Sequence, residues 1–116
     1  MANTFKIKTN DAMPTSAGTP LTLYTVPSNT TTVVLGLMLC NVDSSQRTVD
    51  VQIVSDTSDT ETNATVYAVK DAPVPAGSTL EVMAGNKVVL QTTDVLKIDC
   101  DVAAKIDATL SIMEIT

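Results

Sequence analysis

Thr32-Val33-Val34-Leu35-Gly36-Leu37-Met38-Leu39-Cys40-Asn41-Val42 decides how the rest of the chain is read. With a period of two, one face carries Val33, Leu35, Leu37 and Leu39. The other carries Val34, Gly36, Met38, Cys40 and Val42. A strand with one wet side alternates apolar with polar residues, and this one does not. It needs a cover on both sides. The second cover is either another part of the chain or a neighbouring subunit. Gly36 within it marks a bulge or a close approach by another group.

Working outward, Leu21 to Val26 reads as a strand ended by Pro27, with Ser28-Asn29-Thr30 as turn chemistry. Arg47 to Val54 alternates cleanly, Val49, Val51 and Ile53 against Thr48, Asp50 and Gln52. This strand has one buried face and one wet face. Val66 to Lys70 resumes a strand, and Asp71 to Ser78, with two prolines and Gly77, is a rigid connection. Thr79 to Met83 and Lys87 to Gln91 read as a hairpin about Ala84-Gly85-Asn86. Leu96, Ile98, Cys100 and Val102 then point inward, as do Ile106, Ala108, Leu110 and Ile112 on a last strand that continues to the C-terminus. Asp101 to Ala108 lacks the caps and length of a helix. The expectation is an all-β fold, an antiparallel β-sandwich or partly closed barrel of about eight strands.

Residues 1–19 stand apart from the domain expected over 20–116. Phe5 and Ile7 alternate there with Lys6 and Lys8, as an edge strand or as an arm that docks on a neighbour. Of 116 residues 44% are hydrophobic but only 3% aromatic, so the core must be built from Val, Ile, Leu and Ala. Abundant Thr and Val favour strands, because branching at Cβ suits a pleated surface.

The net charge of −6 argues against nucleic-acid phosphates and anionic membrane surfaces as partners. No secretory leader and no apolar run near the roughly 20 residues of a membrane span are seen. Cys40 and Cys100, the two cysteines, are expected to be small buried hydrophobes, with a cross-sheet pair as the alternative.

The chain has no histidine, which removes the common nucleophile–base arrangements and histidine-held metals. Its carboxylates fall on outward strand positions and in one loop, so the chain is not expected to be an enzyme and no cofactor is expected. Asp56, Asp59, Glu61 and Asn63 offer oxygen ligands to a hard cation such as Ca²⁺. Their spacing matches no calcium loop, and a solvated loop is the plainer reading. What remains is a protein that works through its surfaces.

Leu23 to Thr32 with the apolar strand ending at Asn41 resembles the front half of small structural proteins of tailed bacteriophages, especially those of cyanobacteria. Lys70 to Ser78, Gly85 to Leu90, Asp94-Val95-Leu96 and Leu110 to Thr116 resemble their back half. The resemblance covers residues 20–116 and carries no catalytic motif. It implies a virion component with a β-sandwich fold. The readings it leaves open are a capsid decoration (cement) subunit and a neck, collar, tail or baseplate module. A third class is a carbohydrate or host-surface binding module, for which the absence of Trp is a poor start. Expected partners are the major capsid protein or neck and tail proteins, together with further copies of the chain. The surface expected to serve them is Phe5, Ile7, Val34, Gly36, Met38 and Cys40.

Overall fold

The computed structural model describes residues 2–14, 16–55, 62–83 and 85–116. Asp56, Asp59 and Glu61 of the acidic loop lie outside them. The described residues form β1 (Asn3–Met13), β2 (Leu21–Thr25), β3 (Thr31–Asn41), β4 (Arg47–Val54), β5 (Val66–Val74), β6 (Thr79–Glu81), β7 (Val88–Leu90), β8 (Val95–Cys100) and β9 (Ile106–Ile115), with no helix among them. Two antiparallel sheets pack face to face as a sandwich rather than a closed barrel. One has the order β1-β9-β3-β6, with β7 also on β3, and the other β2-β8-β4-β5.

The alternating strands behave as their patterns require. Val49 and Val51 of β4 and Leu96 and Ile98 of β8 point inward from the second sheet. Ala108, Leu110 and Ile112 of β9 meet them from the first. Fully burying an aliphatic side chain of this size contributes roughly 1.5–3 kcal/mol, which is how a core almost free of aromatics holds.

Residues 3–13 form an edge strand of this domain, paired with β9 from Asn3↔Ile115 to Met13↔Ile106. Met13 reaches the core. The far end closes with Ala2 and Thr116 exchanging backbone hydrogen bonds at 3.2 and 2.9 Å.

β3 lies between β9 and the β6–β7 edge, and its register corrects the strict period-two reading. Val34 pairs with Ile112 and Gly36 with Ser111, leaving Leu35 as an extra residue in a bulge. A bulge places two residues against one, so the alternation changes phase across it. Thr32 and Val34 point inward before it, and Leu37, Leu39 and Asn41 after it, all fully buried or nearly so. Val34 is therefore core, not surface, and leaves the set expected at a subunit contact.

The predicted hairpin about Ala84-Gly85-Asn86 is also corrected. β6 and β7 do not pair with each other. Both pair with β3, β6 at Met38–Cys40 and β7 at Thr32–Val34, so they lie end to end along one edge. The gap between them falls opposite the bulge, where the β3 ladder is locally disrupted. There Val82 N–H still donates to Leu37 O at 2.8 Å. The connection expected at Asp71 to Ser78 begins later than predicted, because Asp71 to Val74 continue β5. Pro73 is tolerated since β5 is an edge strand.

Cys40 and Cys100 are both free thiols. Cys100 is buried in the core, whereas Cys40 is half-buried on β3 beside Asp107 and Thr79, facing away from the second sheet. A cross-sheet pair is not formed.

Candidate docking face

Directly opposed residues of antiparallel strands project from the same side of a sheet. Ile112, Leu110 and Ala108 point inward, so their partners Lys6, Lys8 and Asn10 share that side, and Phe5, Ile7 and Thr9 project outward. The outer face of the first sheet then reads in rows. Phe5 lies opposite Met113, Met113 opposite Val33, and Val33 opposite Val89. That is an unbroken apolar row across four strands. The next row is Ile7, Ser111 and Gly36, followed by Thr9, Thr109 and Met38, which ends on the exposed Glu81 of β6 at the rim. Phe5 is 70% exposed, Ile7 68%, Val89 61% and Met38 44%, and Leu35 of the bulge is exposed as well.

The outer face of the second sheet has the opposite character. Asp50 pairs with Asp99 and Gln52 with Lys97. Lys70 Nζ lies 3.6 Å from Asp50 and 5.2 Å from the centre of the Tyr67 ring. These side chains line a shallow polar depression of about 460 Å³. The sandwich thus has one wet outer face and one dry one.

Of the residues expected at a contact, the structure gathers Phe5, Ile7, Gly36, Met38 and Cys40 on the dry face. Val34 is excluded by the bulge. Val33, Val89 and Met113, outside the expected set, lie on the same face. Val33 was assigned to the wrong face by strict alternation, and the position of Val89 and Met113 beside Val33 depends on cross-strand register.

At the open side between β1 and β2, a polar network ties the sheets together. Tyr24 O–H donates to Glu114 Oε2 at 2.6 Å, and Lys6 Nζ pairs with Glu114 Oε1 at 2.7 Å. With the phenol proton committed to the carboxylate, the Thr32 hydroxyl donates to the Tyr24 oxygen at 2.8 Å. Glu114 is buried, and Lys6 first and Tyr24 second hold its carboxyl below the ordinary 4.5. Burial, then the Glu114 hydrogen bond, push the Tyr24 phenol from 10.0 up to about 12.

The two shifts have opposite consequences. The raised Tyr24 value means stability is fully present below pH 10 and is lost as pH rises toward 12. The depressed Glu114 value means stability is present above pH 4.5 and is lost as pH falls through the lower, folded value. In Tyr67→Phe, which leaves Tyr24 as the sole tyrosine, ultraviolet titration is expected to show ionisation near pH 12. A midpoint near 10 in the folded protein would contradict the network.

Among the described residues no group of three or more His, Cys, Asp or Glu is placed to hold a metal ion, and no helix is long and apolar enough to cross a membrane. Neither protein-family models nor curated proteins give a match to this chain.

Proposed function

We propose that the chain is a structural subunit of a bacteriophage particle, a capsid decoration subunit, acting through protein–protein contact rather than catalysis. The observation that carries this reading is the dry outer face of the β1–β9–β3 sheet. Soluble monomers rarely show contiguous apolar patches beyond a few hundred Å², and larger ones mark contact surfaces. The resemblance of residues 20–116 to phage structural proteins supplies the particle, and a shell offers each small subunit several neighbours over which to spread apolar contact.

Quantitative mass spectrometry of purified phage particles tests the proposal. Hundreds of copies per particle are expected. A dozen or a small multiple of it would move the subunit to the neck or tail, and absence from particles would end the virion reading.

A further inference from the structure

We infer that a second copy of this chain covers the dry face in a two-fold, face-to-face packing, Phe5 of each copy seated over Gly36 and Ser111 of the other. The inference rests on the proposed function only in treating this face as the contact surface.

The relief of the face supplies both halves of the fit. Ser111 and Gly36 lie side by side between the row of Met113 and Val33 and the row of Thr109 and Met38. A Cβ built on Gly36 meets no heavy atom within 4 Å beyond its chain neighbours. The pair, one residue with no side chain and one with a short one, is the lowest part of the face and stands open above. Phe5, on the neighbouring apolar row, is the largest side chain projecting from the same face and is mostly exposed. In a two-fold interface one patch meets itself, so a knob and a hole on one face produce two identical contacts.

Charge and area point to the same occupant. From the row of Asn3, Ile115 and Thr31 to the row of Thr9, Thr109 and Met38, the outward positions of β1, β9 and β3 carry no charged residue; Glu81 of β6, opposite Met38, and Asp107, opposite Cys40, bound the face at its rim. The protein has a net charge of −6, so most of its surface would repel its own copy, whereas the centre of this face is uncharged and the carboxylates of Glu81 and Asp107 stand at the rim. The uncharged rows, four strands about 4.8 Å apart and about 20 Å long, present on the order of 400 Å², and the whole face with the Cys40 and Asp107 end, about 30 Å long, on the order of 600 Å², the lower limit of specific interfaces per partner. Two such faces packed about 10 Å apart would repeat the geometry of the sandwich's own core.

Gly36 also provides the test. Its φ is not in the left-handed region and the space above it is empty, so Gly36→Val is compatible with the folded subunit while filling this low part of the face. Sedimentation equilibrium of the wild-type chain is expected to give twice the 12.2 kDa subunit mass. Gly36→Val and, as a second variant on an exposed position, Phe5→Ala are expected to weaken the dimer at least about 30-fold, as loss of a central contact does. Both should keep the wild-type circular dichroism spectrum. A wild-type protein that stays monomeric at every concentration, or a dimer that neither variant weakens, overturns the inference. A dimer whose chain is absent from phage particles defeats the virion reading alone, and a monomer abundant in particles defeats the dimer alone.

Discussion

Leu37→Asp is expected to unfold the subunit, while Met38→Asp, one residue along, leaves it folded and splits the dimer. Leu37 is fully buried between the sheets, and Met38 is 44% exposed on the dry face. Truncating a buried Leu costs about 2–5 kcal/mol, and burying an unpaired carboxylate adds several more. Together these reach the roughly 5–15 kcal/mol that holds a domain of ordinary stability. Met38→Asp places its charge in water and keeps the core intact. The bulge predicts a second contrast of the same kind. Val34→Asp should unfold the protein and Leu35→Asp should not, the reverse of what a reading that puts Leu35 and Leu37 on one face would give. Circular dichroism and urea denaturation of the four variants check both pairs. Equal loss of structure in Leu37→Asp and Met38→Asp would mean that both faces of β3 are the subunit's own core.

Asn41→Leu is expected to cost on the order of 3 kcal/mol, because it orphans backbone groups on three sides. Asn41 is fully buried at the end of β3. Its Nδ2 donates to Ser45 O and Val74 O, each at 2.9 Å, and its Oδ1 accepts from Asp43 N–H at 2.8 Å. One amide thus fixes the turn into β4 and ties it to the end of β5. Leucine has similar bulk and none of these bonds, so a packing defect does not explain the loss. Asn63→Ala is the control: that exposed amide donates to Ser55 Oγ at 3.1 Å, its one hydrogen bond among the described residues, and its removal should change stability by no more than about 0.5 kcal/mol. Comparable urea midpoints for the two variants would contradict the role given to Asn41.

The sandwich was legible in the sequence wherever one face of a strand is dry and the other wet. The bounds of β4 were predicted as they are found, and the inward set of β9 is Ile106, Ala108, Leu110 and Ile112. The same rule failed inside β3. Gly36 signalled a bulge or a close approach, but nothing local says where the extra residue falls, and its placement at Leu35 returned Val34 to the core. The hairpin between β6 and β7 failed for a related reason. Short apolar runs around Gly85 look alike whether they pair with each other or share a third strand, and the interrupted β3 ladder decided between them.

What the sequence could not show was adjacency. Phe5 and Met113 become neighbours only through the β1–β9 register, and Tyr24 meets Glu114 across 90 residues. The dry face is a property of the sheet more than of any strand in it. That β3 is apolar on both sides was readable from one stretch; which residues share its outer side required the register of its neighbours.

Peroxide oxidation of the methionines, read residue by residue by mass spectrometry, tests most directly whether copies of the chain bury this face. Met38 and Met113 lie on it, and Met13 and Met83 lie in the core. Oxidation of Met38 and Met113 is expected to be slow in the wild-type protein and fast in Gly36→Val, while Met13 and Met83 stay slow in both. Met38 oxidising as fast in the wild type as in the variant would show the face open to water and contradict its burial between copies.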